Sequence, residues 1–313
     1  MHRGFPLLLL CAGLPQLAAA ADLKAAVEAQ PASIASPILG YMMSKGQLVA
    51  IEGIGGAAHT RALSGTRGIG DRLILPPGQN YQWVERAGQV YVTPILNDGN
   101  ARAISGAWGV ADLVAFNSDG SAAMLYRNTG RLQIITGLPA TPNVAREIAG
   151  PAGATAAAMS DDTNTLLLAS AQGVYEASAS NPWQLILAGP VNAMAFVPGG
   201  SDALVAAKDQ TYFLKSSITA EFLMNDSARA ITTSVDGRFG VFLANSGTEA
   251  IIVDLRTRTS KTLQIGSASQ DVQRGRGRAI LFVPREGASP WLFDTGSGAL
   301  SFAPALPETG RRR

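Results

Sequence analysis

The chain has 313 residues, of which 47% are hydrophobic and only 15% are charged, and its formal net charge is +2. This composition excludes an intrinsically disordered chain, and the small net charge offers no global attraction to nucleic acid. The 34 glycines and 17 prolines are typical of many short buried strands joined by tight turns, as in a single barrel or propeller domain.

The chain begins with the three regions of a secretory signal peptide. A histidine and an arginine precede an apolar run, and a run of alanines follows it. We therefore predict a signal peptide over residues 1–21, cleaved near Ala20 or Ala21, and a secreted or periplasmic bacterial protein. The apolar run is shorter than the roughly 20 residues of a membrane span, so we expect no span. Residues 22–30 are predicted to form a short amphipathic lead-in.

The only cysteine, Cys11, lies inside this first segment. A lipoprotein cleavage site at Cys11 is an alternative, but Leu10 before it is not the small residue such a site needs. The mature chain would then contain neither a disulfide nor a thiol nucleophile. Its single histidine, His59, favours neither a zinc site nor histidine-based catalysis, so no catalytic residue is predicted.

One unit recurs along the mature chain. The segment "AFNSDGSAAMLYR" aligns without a gap on "AFVPGGSDALVAA". The aligned turn positions, 37 to 42 residues apart, are Gly78, Gly120, Asp162, Gly200, Gly237 and Gly277. A second turn precedes another apolar strand in each of seven copies, and in the first four it contains Gly46, Gly88, Gly130 and Gly173. Two independent features therefore repeat at the same period.

The repeating unit has the pattern of a four-stranded antiparallel sheet. Glycine-containing turns accept the positive φ of tight hairpins, and runs such as "AAMLY" and "RAILFV" predict strands buried on both faces. A third strand and a more polar fourth strand complete each copy. We predict an all-β, seven-bladed β-propeller over residues 31–304, followed by a flexible basic tail at 305–313. A β-sandwich or a β-helix does not explain this period.

The repeats resemble those of the YVTN and WD-type β-propellers. The likeness is clearest in "IIVDLRTRTSKTL" and "WLFDTGSGAL", where an apolar strand ends at Asp254 or Asp294 and a small polar turn follows. It covers the whole mature chain, although no copy contains the YVTN sequence or a Trp-Asp pair. The resemblance implies a ring of blades around a central channel.

Polar residues just before the inner strands are candidates for the mouth of this channel. They lie six to eight residues before the aligned turns and are Asp71, Asp112, Asn192, Arg229 and Asp271. Propeller enzymes of the lactonase type hold a divalent cation with such residues. A metal-assisted hydrolase of this kind is therefore one alternative for this chain. The simpler interpretation is that polar strand ends face a wet channel, with no cofactor, because scattered carboxylates are weak support for a cation cage.

A second candidate is the segment "QRGRGRA". Arg274, Arg276 and Arg278 alternate, so on a strand they would share one face and form an anion-binding patch. Alternatively, Gly275 and Gly277 place them in an exposed turn with solvated side chains.

Two further groups have alternative roles. The aspartates of the aligned turns are expected to bond turn backbone; they are Asp119, Asp161, Asp162 and Asp236. The larger aromatics either anchor a partner or pack between blades; they are Tyr81, Trp83, Trp108, Trp183 and Trp291.

The tail contains "LPETG" at residues 306–310, which matches a sortase signal but lacks the apolar span that follows it in that family.

The sequence favours a secreted, non-enzymatic binding platform. Its protein or small-molecule ligand would lie at a loop face or the channel mouth, and the chain would act as a monomer. The alternatives are the metal-assisted hydrolase and a scaffold for an envelope complex.

Overall fold

The computed structural model describes residues 36–54, 56–63, 70–95, 101–216, 219–285 and 288–304. The predicted signal peptide, the lead-in and the tail lie outside the described residues. The chain folds into seven antiparallel sheets that follow one another along the sequence and form the blades of a β-propeller, which confirms the predicted fold.

The first four blades are built from β1 to β15. Blade 1 contains β1 (Ile38–Ser44), β2 (Gln47–Glu52) and β3 (His59–Ala62). Blade 2 contains β4 (Arg72–Ile74), β5 (Tyr81–Arg86), β6 (Gln89–Pro94) and β7 (Arg102–Ala103). Blade 3 contains β8 (Leu113–Phe116), β9 (Ala123–Arg127), β10 (Arg131–Thr136) and β11 (Asn143–Ala149). Blade 4 contains β12 (Ala156–Met159), β13 (Leu166–Ala169), β14 (Gly173–Ala177) and β15 (Gln184–Ala188).

The last three blades are built from β16 to β27. Blade 5 contains β16 (Val191–Phe196), β17 (Ala203–Ala207), β18 (Thr211–Lys215) and β19 (Thr219–Met224). Blade 6 contains β20 (Ala228–Thr233), β21 (Phe239–Ala244), β22 (Glu249–Asp254) and β23 (Thr259–Gln264). Blade 7 contains β24 (Ser269–Arg274), β25 (Ala279–Pro284), β26 (Trp291–Asp294) and β27 (Leu300–Phe302).

The order of strands within a blade follows the polarity of the sequence. The first strands of blades 3 to 7 contact one another in succession and lie innermost. The second strands are the apolar runs, and β9, β13 and β25 are buried almost throughout. The fourth strands are the polar ones, and β11 and β23 are largely exposed. Burial therefore rises from the rim toward the middle of each blade.

Tight turns with positive φ join the first and second strands, as predicted. Gly120 and Gly237, for example, have φ of 75° and 67°. In two copies the residue with positive φ is next to the aligned position. It is Thr163, beside Asp162, in blade 4 and Gly199, beside Gly200, in blade 5. The turn therefore keeps its conformation while its sequence shifts by one position.

Among the described residues, the buried apolar side chains form seven clusters, one at each junction between adjacent blades. The junction of blades 3 and 4, for instance, buries Met124 and Leu132 against Met159 and Leu166. The junctions of blades 2 and 3, 4 and 5, 5 and 6, and 6 and 7 likewise bury residues of second and third strands, and most of them also bury residues of first strands. Burying one such side chain stabilises the fold by about 1.5–3 kcal/mol, so each blade depends on both of its neighbours.

The ring closes between the last blade and the first. Met42 and Ile51 of blade 1 are buried together with Leu281 and Leu292 of blade 7. The backbone N–H of Thr60 donates to the carbonyl of Pro304 at 2.9 Å. A further cluster joins blade 1 to blade 2. Packing and backbone bonds thus close the circle.

Blade 1 differs from the other six because the described residues supply only three strands to it. Two neighbours bond the inner edge of β1. The side chain of Gln79 accepts from the N–H of Tyr41 at 2.6 Å and donates to its carbonyl at 2.9 Å. The N–H of Arg276 donates to the carbonyl of Leu39 at 2.8 Å. A buried amide from blade 2 and the backbone of blade 7 thereby satisfy this edge.

Gly40 lies where Gln79 of blade 2 and Leu281 of blade 7 approach β1 closely. A Cβ at this position would be 2.6 Å from Leu281 Cδ1 and 2.9 Å from Gln79 Oε1. We expect Gly40→Ala to lower the free energy of unfolding by about 1–3 kcal/mol, because the packed junction must open. Urea unfolding of the purified mature chain measures this change.

The matched control is Gly200→Ala, where the nearest atom to an added Cβ is 3.8 Å away. It should change stability by less than about 0.5 kcal/mol. Equal losses in the two variants would contradict the close approach at Gly40.

Candidate functional site

The central channel is a cavity of about 310 Å³ lined by the inner strands of blades 3 to 7 and by residues after β4. Most of the residues that line it are apolar. Among the lining residues, Asp271 and Arg274, both on β24, carry charges. Asp271 accepts from the N–H of Val272 and from the side chain of Gln273, each at 2.8 Å. Its carboxylate is therefore held by neighbours on its own strand.

Arg274 crosses the channel at the end where the inner strands finish. Its side chain is 8% exposed. Nε and Nη2 donate to the carbonyl and hydroxyl of Thr233 in blade 6, at 3.0 and 2.7 Å. Nη1 donates to the carbonyl of Ser118 in blade 3, at 2.6 Å. One guanidinium therefore ties blades 3, 6 and 7 together at this end of the channel.

Carboxylates surround this arginine. Burial lowers the pKa of Arg274, whereas Asp161, Asp119 and Asp236 oppose that shift through their negative charge. A guanidinium keeps its proton under these conditions, so the centre of this face is a buried cation inside a ring of acids.

Asp161 also ties blades together. Its carboxylate accepts from the N–H and hydroxyl of Ser118 in blade 3, at 2.7 and 2.8 Å, and from the N–H of Gly199 in blade 5, at 2.7 Å. The prediction that turn aspartates bond backbone is confirmed, because Asp119, Asp162 and Asp236 each accept from an N–H of their own turn. Asp161 departs from them by bonding across two junctions.

The opposite face carries a broad mouth of about 1010 Å³ over blades 4 to 7. It lies where the inner strands of these blades begin and where their second and third strands are joined. Its polar lining includes Asn192, Arg229 and Gln270 from the inner-strand starts and Lys208, Asp209 and Asn245 from the turns. Four blades thus contribute side chains to one concave surface.

The structure places the five predicted channel-mouth residues in three settings. Asn192 and Arg229 line the broad mouth. Asp271 lies deeper, in the channel. Asp71 and Asp112 accept from the backbone N–H of Ala87 and Asn128, at 3.0 and 2.7 Å, and so cap a turn of their own blade. These two carboxylates line neither cavity.

The three arginines of "QRGRGRA" contact different parts of the molecule. Arg274 ends β24 and is buried, whereas Arg276 and Arg278 lie in the turn before β25. The guanidinium of Arg276 lies 5.9 Å from the ring centre of Tyr41. The side chain of Arg278 lies beside Gly296. Anion binding by this segment stays a prediction.

The aromatic residues also fall into different settings. Tyr81 and Trp83 are buried between blades 2 and 3, and the hydroxyl of Tyr81 donates to the carbonyl of Gly120 at 2.7 Å. Trp108 is half-buried, with the guanidinium groups of Arg127 and Arg131 at 4.6 and 5.6 Å from its ring centre. Tyr81 and Trp83 therefore belong to the core.

Sequence reasoning missed Lys208, Asn245 and Gln270 as lining residues of the mouth. Lys208 and Asn245 lie in second-to-third-strand turns, which served in the sequence only to mark the repeat. A comparison of those turns copy by copy would have shown that blades 5 and 6 carry polar side chains there.

Within the described ranges, no group of three His, Cys, Asp or Glu side chains lies close enough to hold a metal ion. None of the described residues forms a helix with the length and hydropathy needed to cross a membrane. A comparison with protein-family models found no match, and a comparison with curated proteins found none either.

Removing the guanidinium of Arg274 tests its structural role. Arg274→Met leaves the carbonyls of Ser118 and Thr233 without their donors and the nearby carboxylates without a counter-charge. We expect a loss of about 3 kcal/mol in the free energy of unfolding, measured by urea denaturation.

The control is Arg278→Met, because the side chain of Arg278 is exposed. It should stay within about 0.5 kcal/mol of the wild type. A similarly small effect in Arg274→Met would show that the cross-channel bonds contribute little.

Asp236 makes the fold sensitive to acid. The bond from the Ser234 hydroxyl lowers the pKa of Asp236, burial opposes this, and the N–H of Arg238 adds to the lowering. Because the folded pKa lies below the ordinary value, the contribution to stability is complete above about pH 4 and is lost as the pH falls through the folded value. Asp236→Asn should therefore lose less stability over that window. Urea unfolding at a series of pH values checks this, and parallel curves for the two proteins would refute it.

Proposed function

We propose that this chain is a secreted, non-enzymatic binding protein whose ligand occupies the broad mouth over blades 4 to 7. The observation that carries the proposal is the mouth itself, a concave surface of about 1010 Å³ to which four blades contribute polar side chains. Binding sites are concave and place a few polar groups at defined positions on a rigid scaffold.

The arrangement of the blades supports a preformed site. Val191, at the first position of β16, is buried in the junction with blade 4, while the side chain of the next residue, Asn192, is exposed at the mouth. The amide of Asn192 donates to the hydroxyl of Ser227 at 3.0 Å, so a bond to blade 6 orients it. Little ordering would be needed on binding, which favours affinity.

Two sequence features support the remaining parts of the proposal. The three regions of a signal peptide at residues 1–21 support secretion. The likeness to YVTN and WD-type repeats supports a binding role, because loops on a rigid ring are where such propellers place recognition.

Filling the mouth tests its role. Thermal unfolding of the mature chain is measured with a panel of small carboxylates, inorganic phosphate, neutral sugars and short peptides, because a ligand that binds only the folded state raises its stability. The shift corresponds to about 2.7 kcal/mol at a hundredfold excess over the dissociation constant. Asn192→Trp should abolish the shift by filling the mouth.

The matched control is Asn181→Trp, an exposed position in a turn on the opposite face. It should keep the ligand-induced shift. A shift that survives Asn192→Trp would place the site elsewhere and overturn the proposal.

The same thermal unfolding measurement, made with EDTA and then with calcium or magnesium restored, tests the alternative of a metal-assisted hydrolase. A cation-reversible shift that persists in Asn192→Trp, with turnover of an ester or lactone, would favour that alternative over a binding protein.

A further inference from the structure

Two cationic side chains at the broad mouth have no partner among the described residues. Lys208 lies in the turn between β17 and β18 of blade 5, and Arg229 is the second residue of β20 in blade 6. Both side chains are exposed, line the mouth, and make no hydrogen bond or ion pair to the part of the chain that the structure describes. They come from adjacent blades and meet at one cavity.

Three other exposed arginines each pair with a carboxylate. Arg61 pairs with Glu52, Arg131 with Glu147 at 2.7 Å, and Arg258 with Glu221 at 3.1 Å. Among the described residues that line the mouth, Asp209 is the one carboxylate, and Lys208 and Arg229 are the cations. These lining residues together therefore carry a net positive charge.

The uncharged polar residues that line the mouth can also donate hydrogen bonds to an anion. Asn192, Asn245 and Gln270 each place an amide at the mouth, and an amide can donate to an oxyanion. Ser227 holds one N–H of Asn192, which leaves its second N–H for a ligand. Hydrogen-bond donors and cations thus surround one space.

The cations at the two ends of the channel differ in availability. At the far end Arg274 is buried, is bonded to Thr233 and Ser118, and has Asp119, Asp161 and Asp236 around it. At the mouth Lys208 and Arg229 are exposed. A negatively charged ligand can therefore reach the two cations of the mouth without displacing a bond that holds blades together.

We propose that the ligand of the broad mouth is an anion that presents a carboxylate or phosphate group to Arg229 and Lys208. This inference rests on the proposed binding function of the same mouth. The planar guanidinium of Arg229 accommodates two oxygens of such a group, and the ammonium of Lys208 acts as a point charge beside it. Asp209 accepts from a hydroxyl or amide elsewhere on the ligand, so a polar organic acid fits better than a bare polyanion.

The experiment measures binding of four probes to the mature chain by isothermal titration calorimetry. The probes are succinate, inorganic phosphate, a short peptide with a free C-terminal carboxylate, and the same peptide with an amidated C-terminus. The first two represent free anions, and the peptide pair represents a protein terminus. Preference for the free peptide over its amidated form, with no binding of succinate or phosphate, would identify a peptide as the source of the anion, and the reverse would identify a small molecule.

Three variants locate the site. Arg229→Gln and Lys208→Gln each remove one cation and keep a similar side-chain length, and each should weaken anion binding roughly tenfold or more. Arg256→Gln removes one cation from an exposed turn between β22 and β23, on the opposite face, and should leave binding unchanged. Binding to the wild type should also weaken with added salt. Far-UV circular dichroism confirms that each variant is folded.

The outcomes separate the two proposals. If a neutral sugar or the amidated peptide binds and is lost in Asn192→Trp, while no anion binds, the mouth is a binding site and the inference of an anion is wrong. If an anion binds equally well to Arg229→Gln, Lys208→Gln and Arg256→Gln, the anion site is not at the mouth and the inference is overturned. If none of the probes and no member of the wider panel binds in a manner sensitive to Asn192→Trp, both proposals fail.

Discussion

Burial of apolar side chains between neighbouring blades is the interaction on which the whole structure depends. A single blade has two apolar faces and no second layer of its own, so it can exclude water only when a blade lies on each side. The seven clusters at the seven junctions satisfy this requirement, and the contact of Met42 and Ile51 with Leu281 and Leu292 closes the circle. With fewer contacts at any one junction, two apolar faces would return to water.

Polar side chains bond backbone groups and join blades where apolar packing does not. The inner edge of β1 is satisfied by the amide of Gln79 and the backbone of Arg276, in place of a paired strand. On the face beyond the channel, Arg274 and Asp161 bond several blades at once. That face is therefore occupied with holding the ring together. On the opposite face, over blades 4 to 7, Lys208 and Arg229 make no such bond to the described residues, and this difference is one reason for proposing the binding site there.

The sequence predicted the fold, whereas its five candidate residues occupy three different settings in the structure. The repeat of about forty residues was visible because each blade needs the same turns and the same apolar second strand. Of the five predicted channel-mouth residues, Asn192 and Arg229 line the broad mouth, whereas Asp71 and Asp112 cap turns. A polar residue before an inner strand has the same local pattern in either role. Whether it bonds its own turn or faces a cavity depends on neighbouring blades, which local pattern does not encode.

By itself the sequence determined the all-β class, the seven repeats, the turn positions and the aspartates that bond turn backbone, because each of these follows from contacts within about forty residues. Only the tertiary structure decided that blade 1 has three strands among the described residues, that Arg274 reaches Ser118 across the channel, and that Lys208 and Arg229 share one cavity. Arg274 and Ser118 are 156 positions apart in the chain. Residues so far apart in the chain come into contact only when the ring closes, because the position of each blade depends on the packing of all the others.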